Sequence, residues 1–280
     1  MTIQSLSSVS LAEITDTFNE AFSDYYIKLQ LTEPAMALKL RSENIDLSYS
    51  IGAFDQGKLR GFILHGVDNV RGVKTVYNAG TGVVPAYRGQ RLTEQLYKAV
   101  LPGLQKEGMV HHQLEVIEQN EPAKRVYEKI GFDRVRTFSC FKGSVTAEAD
   151  PAFSIQEVME PHFDTYASFW NYTPSWQNDT PAIKRSLDVH KIVELRKGEE
   201  LVAYAAFMPA TGRVKQYGVR PEHRKKGCGR QLFHYLCGAS PNNEVNLINV
   251  DDSDTASIEF FKAIGFQRFL GLWEMKFSNV

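Results

Sequence analysis

Two stretches of the 280-residue chain place cations and glycines between an apparent strand end and a helix start: VVPAYRGQRLTEQLY, Val83 to Tyr97, and GVRPEHRKKGCGRQLF, Gly218 to Phe233. A loop of this composition suits a phosphate. N–H groups ahead of a helix lack partners, glycine lets them approach an anion closely, and the helix dipole favours negative charge there. The same composition also fits an ordinary strand-to-helix turn with solvated charges, so the loops by themselves establish little.

The elements around the first loop follow from periodicity. LAEITDTFNEAF puts Leu11, Ile14, Phe18 and Phe22 on one helical face, with Ser10 as N-cap and Glu13 three residues on. YSIGAFDQGKLRGFILHGV reads as two strands around the turn DQGK, and VKTVYNAGTGVV as a third. Beyond the loop, LTEQLYKAVLPGLQKEG is an amphipathic helix, HQLEVIE a short buried strand, EPAKRVYEKIG a helix stopped by Gly131, and FDRVRTFSCFKG a strand. His111 and His112 precede a strand without a second ligand pair, which makes them loop residues rather than metal ligands.

SVTAEADPAF, near residues 143–153, then breaks the pattern as a linker, after which the order recurs. IVELRKGEELVAYAAFM is a strand pair, RVKQYGV a strand, GRQLFHYLCG a helix, VNLINV a strand, SIEFFKAIG a helix and FQRFLGLWEMKF a final strand. Pro85 to Pro221 and Arg88 to Arg224 each differ by 136 positions, and Gly131 to Gly265 by 134. A whole domain is duplicated, with expected bounds 1–145 and 153–280.

Composition narrows the partners. A hydrophobic content of 43% is ample for two cores, and a formal charge of −1 gives no electrostatic footprint for nucleic acid or an anionic membrane. Three scattered cysteines, Cys140, Cys228 and Cys237, make neither a disulfide framework nor a C-x-x-C metal pair. The opening MTIQSLSSVSLAEITDTF has no basic stretch followed by an apolar one, and no run of eighteen apolar residues occurs. The expected setting is the cytoplasm, with a small or peptide partner and no metal.

In the first half, 32 residues after Arg88, stands NEPAKRVYEKIGF, Asn120 to Phe132, preceded by LEV. Together they form L-x-V-x-x-x-N-x-x-A-x-x-x-Y-x-x-x-G-F. With the earlier loop, this resembles the GNAT superfamily of acetyl-CoA-dependent N-acyltransferases, and the resemblance covers both halves. It implies two tandem α/β (α+β) folds, each a mixed, mostly antiparallel sheet flanked by helices and opened in a V between its fourth and fifth strands. It further implies acetyl-CoA as co-substrate: Val83 and Val84 offer backbone groups to the pantetheine, Arg88, Gly89, Gln90, Arg91, Leu92 and Thr93 wrap the pyrophosphate, Asn120 sits by the pantetheine, and Tyr127 faces the sulfur as general acid. In the second half the matching cofactor positions are Val219, Arg224, Gly227 and Gly229.

Each half departs from the family's R-x-x-G-x-G loop and N…A…Y segment differently. The first has Arg91 and Thr93 where the pattern has glycines; placed in a helix's first turn, both would have negative φ and tolerate a Cβ. The second keeps its glycines but has Phe261 for Tyr127, Asp254 for Asn120 and Ser257 for Ala123. Phenylalanine has no proton to give a departing thiolate, a contribution typically worth about 10²–10⁴-fold. The first half is therefore expected to be catalytic.

An amine acceptor needs a base or a water path. Glu115 and Glu118 are the candidates, although a strand-end carboxylate facing water is the plainer reading of either. The aromatic stretches Phe22 to Tyr26 and Phe169 to Trp176 fit core packing or the acceptor side. The expected reaction is acetyl transfer to a primary amine. A CoA-binding sensor or scaffold without turnover, and a transferase using aminoacyl-tRNA, are the alternatives. A monomer or homodimer is compatible with the sequence.

Overall fold

The computed structural model describes residues 1–70, 72–148 and 150–278. Ala149, inside the expected linker, and residues 279–280 of the expected second domain lie outside them. In chain order the elements are β1 (Thr2–Ser5), α1 (Leu11–Ala21), α2 (Glu33–Ser42), β2 (Ile51–Asp55), β3 (Lys58–Val70), β4 (Val73–Val83), α3 (Leu92–Lys106), β5 (His111–Ile117), α4 (Glu121–Ile130) and β6 (Asp133–Gly143). Then follow β7 (Ser154–Glu157), α5 (Phe163–Ala167), α6 (Thr180–Lys184), β8 (Lys191–Lys197), β9 (Glu200–Met208), β10 (Arg213–Val219), α7 (Cys228–Gly238), β11 (Val245–Asp251), α8 (Thr255–Ala263) and β12 (Gln267–Ser278).

Local signals act where the sequence places them. Ser10 accepts the Glu13 N–H at 3.2 Å at the start of α1. Gln56 and Gly57 both have positive φ between β2 and β3, the geometry a tight hairpin demands. Helix α2 and the short strand β1 carry no strong periodic signal and were not expected. His111 and His112 begin β5 rather than lying in a loop; strand alternation buries the ring of His112 and half-exposes that of His111.

The chain folds as two compact units: Met1–Val135 with Glu274–Val280, and Arg136–Trp273. In unit 1, β1 to β4 pair antiparallel in sequence order, β4 pairs parallel with β5, and β12 runs beside β5. In unit 2, β7 to β10 pair antiparallel in order, β10 pairs parallel with β11, and β6 pairs antiparallel with β11. The strand beside β5 therefore comes from the end of the sequence. The strand that follows α4 goes to unit 2 instead. The segment 144–153 also serves unit 2, where Ala147 N–H meets His234 Nδ1 at 3.3 Å and Gln231 donates to the Glu148 carbonyl at 2.7 Å.

Two neutral histidines sit in the core of unit 1. Burial pushes His65 down to about 4 despite its bond to the Tyr49 carbonyl, and burial with the nearby His65 pushes His112 down to about 4. Both stay neutral in the folded protein but take up a proton near pH 6.5 when unfolded. The unfolded state thus binds more protons between roughly pH 6.5 and 4, so stability falls as pH drops through that window. Urea unfolding at pH 7.5 and pH 5 should show this loss, and His65→Gln should reduce the difference by on the order of 2 kcal/mol; equal differences in the two proteins would overturn the assignment.

Candidate active site

The site begins with one extra residue in a strand. On β4, Asn78 pairs with His65 and Gly80 with Leu64, so Ala79 is a bulge. Parallel pairing of β4 with β5 ends at Asn78–Leu114, immediately before it. A bulge bends and twists its strand, and here it sends Gly80 to Val83 away from β5, leaving their backbone on that side without a sheet partner. Unit 2 repeats this 136 residues later: Lys215 is the bulge, and β10–β11 pairing ends at Val214–Leu247.

Asn78 fixes the parting. Its Nδ2 donates to Tyr97 Oη at 2.7 Å and to Thr81 Oγ1 at 2.8 Å, and its Oδ1 accepts the Gly80 N–H at 3.0 Å. These bonds bind the strand on both sides of the bulge to α3. The role of Asn78 was not apparent from the sequence, in which nothing marks a bulge.

Past the parted strand the chain makes a single turn, Pro85–Tyr87, and enters α3. Gly89 has φ 77° and Arg91 φ 57°; in the second loop Lys225 has φ 58° and Gly227 φ 82°. Arg91 is the left-handed N-cap of α3, not a first-turn residue with negative φ as the sequence suggested. The two loops share one backbone with two left-handed positions. The first copy puts glycine at the earlier position and arginine at the later; the second puts lysine and then glycine. Alternating left-handed residues turn successive N–H groups inward as an anion-binding nest. The first internal bond of α3 is Gln95 N–H to the Arg91 carbonyl, and of α7 Gln231 N–H to the Gly227 carbonyl. Among the described residues, no acceptor takes the N–H groups of Gln90 to Thr93.

Arg88 faces away from this nest. Its Nε donates to the Val83 carbonyl at 3.2 Å, its Nη2 to the Ala21 carbonyl at 2.9 Å, and both terminal nitrogens to Asp24 at 2.6 and 2.7 Å. The bond from Arg88 holds the Asp24 carboxyl below its usual range. Arg224 repeats the clamp with the Val219 carbonyl at 3.1 Å, Asn171 Oδ1 at 2.7 Å and the Phe169 carbonyl at 2.9 Å. The repeated arginine ties the loop to the segment after α1 or α5.

Asn120 caps α4, accepting the Ala123 N–H at 3.2 Å, and its Nδ2 reaches Tyr25 Oη at 3.4 Å. Two turns on, Tyr127 is buried, its ring edge-on to Tyr97 at 6.3 Å. Burial pushes its phenol up to about 12, opposed by hydrogen bonding to Thr81 and Asn78 and reinforced by Tyr25. At neutral pH it carries its proton. Tyr25 thus joins the site from an aromatic stretch that also fitted core packing; its trace in the sequence is the F-x-[DN]-Y shared by Phe22–Tyr25 and Phe169–Tyr172.

Glu115 accepts from Tyr77 Oη at 2.9 Å. Adjacent strand residues point to opposite faces, so Tyr77 and Glu115 lie on the face opposite Asn78, which meets α3. Glu118 lies beyond β5, where its carbonyl accepts from the buried Lys124 at 2.7 Å.

Unit 2 keeps the opening but fills it. Asn178 donates to the Ile248 carbonyl on β11 at 2.8 Å, and its own carbonyl accepts from Gln216 on β10 at 2.7 Å. Lys215 binds the Gln177 carbonyl at 2.9 Å and Asn249 binds Ser175 at 2.8 Å. Phe261 is fully buried against Phe141 and Tyr217, at 5.2 and 5.3 Å. Asp254 caps α8 by accepting the Ser257 N–H and also takes Asn171 at 2.9 Å. Cys228, at the start of α7, is buried, and burial pushes its thiol up. Gly229 follows it, where an added Cβ would meet the Phe260 ring at 2.9 Å.

A bulged strand parted from its parallel neighbour, with an amide nest behind it, recurs in both units. The family model described as Acetyltransferase (GNAT) family matches residues 11–132 and again 155–266. The chain belongs to this acetyltransferase family and carries its fold in tandem. Similar solved structures include a tandem GNAT protein from the clavulanic acid biosynthesis pathway, 13% identical with a TM-score of 0.76 over 99% of this chain and 98% of that one. Another is a GCN5-related N-acetyltransferase from Sphaerobacter thermophilus, 17% identical with a TM-score of 0.72 over 99% and 95% of the two chains. At these identities the likeness shows the fold alone. No curated protein matches the chain.

Among the described residues no group of His, Cys, Asp and Glu side chains could hold a metal, and no helix is long and apolar enough to cross a membrane. A non-glycine residue held left-handed costs roughly 1 kcal/mol. Arg91→Gly should therefore raise the stability of unit 1 by up to about 1 kcal/mol in urea unfolding while weakening CoA binding measured by calorimetry. Unchanged affinity would remove Arg91 from the anion site.

Proposed function

We propose that the protein is an N-acyltransferase that moves an acetyl group from acetyl-CoA to a primary amine, with the chemistry in unit 1. The observation that carries this reading is the contrast between the two openings. In unit 1 the segment after α1 bonds to α1 and α4, through Asn19–Leu31, Gln30–Asn19 and Tyr25–Asn120, whereas in unit 2 the segment 175–178 bridges both parted strands. Among the described residues, the segment after α1 makes no such bridge across β4 and β5 in unit 1: its Asp24 and Tyr25 reach Arg88 and Asn120 instead.

The residues fit the co-substrate. The nest amides of Gln90 to Thr93, with Arg91, would hold the pyrophosphate. Val83 and Val84, with Asn120, would hold the pantetheine along the parted strand. The Val84 N–H already serves the Arg60 carbonyl at 2.9 Å and its C=O accepts the Tyr87 N–H at 2.8 Å, which leaves the second lone pair of that carbonyl as the group to offer. A thioester lying between the strands meets Tyr127 on the α3 face and Glu115 on the other. Glu115, directly or through a water, takes the amine proton as nitrogen attacks the acyl carbon. The C–S bond breaks and Tyr127 gives its proton to the leaving thiolate, so amine and thioester become amide and thiol. Backbone N–H near Val83 opposes the developing oxyanion charge, and fixed orientation of an already activated thioester supplies much of the acceleration.

Unit 2 keeps the nest but lacks the acid, and Asn178 bridges its parted strands, so we read it as a fold without turnover. The cytoplasm remains the proposed setting, with domains bounded as the two compact units. An aminoacyl-tRNA donor is disfavoured by the charge balance. The direct test is thiol release from acetyl-CoA with a panel of aliphatic amines, amino acids, aminoglycosides and peptide N-termini; salt-sensitive tRNA binding with no response to any amine would favour the other donor.

Tyr127→Phe should lower kcat at least about tenfold and leave KM for acetyl-CoA within roughly threefold, because the lost contact forms mainly in the transition state. Phe261→Tyr should add no turnover. Because the Tyr127 phenol lies near 12, wild-type kcat should show no falling limb below about pH 10. A falling limb near neutrality, or full kcat in Tyr127→Phe, would end its role as acid.

A further inference from the structure

We infer that the last strand of the sequence is part of what makes Tyr127 effective, and that Phe277 is the positioning residue. This rests on the proposed role of Tyr127. The end of β12 belongs to unit 1. There the Phe277 ring lies 5.5 Å from that of Phe132 and 5.5 Å from that of His112. Phe132 lies 5.9 Å from Tyr127 and 5.7 Å from Tyr97, so the aromatic contacts run without a break from β12 to the acid.

The backbone makes the same connection. Helix α4 ends at Gly131, whose φ of 114° lets the chain turn back so that the Tyr127 carbonyl accepts both the Gly131 N–H at 3.1 Å and the Phe132 N–H at 2.9 Å. A Cβ on Gly131 would come within 3.0 Å of the Phe277 ring. Gly131 therefore meets two demands, a left-handed conformation and the close approach of Phe277. The last turn of α4, which carries Tyr127, is seated on a ring supplied from a strand more than 140 residues further along the chain.

Removing that ring leaves a cavity under Phe132 and the end of α4, which lets the helix terminus settle and moves the Tyr127 hydroxyl from Thr81 and Asn78. The nest before α3 is built from other residues and keeps its form. The defect should therefore appear in kcat rather than in the KM for acetyl-CoA.

The full-length protein is assayed with acetyl-CoA and hydroxylamine, a small amine nucleophile that asks little of the acceptor side, following thiol release above background, for Phe277→Leu and Phe277→Ala, each alone and combined with Tyr127→Phe. Phe277→Ala should lower kcat at least fivefold with KM within threefold, Phe277→Leu should recover most of the loss, and in the Tyr127→Phe background Phe277→Ala should cost less than a further twofold. Amide hydrogen exchange should quicken across Glu121–Ile130 and remain unchanged across Leu92–Lys106. Where Phe277→Ala fails to fold, Phe277→Leu carries both readouts, with a two- to threefold loss that vanishes in the Tyr127→Phe background. Multiplying losses in the double variants, or unchanged exchange in α4, would overturn the seating role while leaving Tyr127 in place. Full activity of Tyr127→Phe, or no wild-type turnover with hydroxylamine or any panel amine, would overturn the functional reading and this inference with it.

Discussion

The inserted residue Ala79 organises unit 1. Without it, β4 and β5 would continue their parallel ladder past Asn78, and the backbone from Gly80 to Val83 would spend its hydrogen bonds within the sheet. With it, the strand turns aside, and the bonds of Asn78 to Tyr97, Thr81 and Gly80 hold the turned portion in place. The opening lies between the face that carries Tyr127 and the face that carries Glu115. Lys215 does the same in unit 2 at the matching position, so the device was fixed in the ancestral unit before the two copies diverged.

The later changes left the loop backbone alone and altered what lines the opening. Both loops keep two left-handed positions, with glycine used at one in the first copy and at the other in the second. Both keep an arginine whose bonds end on the strand and on the segment after the first helix of the unit. What differs is the chain that follows that helix. In unit 2, Asn178 reaches both parted strands, and the two rings Phe261 and Tyr217 pack where unit 1 has Tyr127 and Thr81. The opening became a packed core.

Much of this was legible in the sequence because it is local or repeated. The Ser10 cap, the turn at Gln56–Gly57, the duplicated order of elements and the asparagine that starts α4 depend on residues a few positions apart. The φ of Arg91 was not, because arginine rarely adopts a left-handed backbone; only Gly227, its counterpart, pointed to it. The clamp from Arg88 to Asp24 joins residues 64 positions apart, and neither type names its partner. The partners of β6 and β12 were hidden for a similar reason, since either strand has a pattern able to cover either neighbour.

The route of those two strands bears on how the chain is made. β5 is complete at Ile117, but β12, the strand that lies beside it, begins only at Gln267. At translation rates of about 5–20 residues per second, roughly 8–30 s separate the two events. Throughout that interval the nascent first half presents β5 as an open edge of the kind that recruits strands from other molecules. Unit 2 meets no such delay for β11, because β6 has already been synthesised. The half that carries Tyr127 is therefore made first and closed last, and a ribosome that stalls after Trp273 leaves it unsealed.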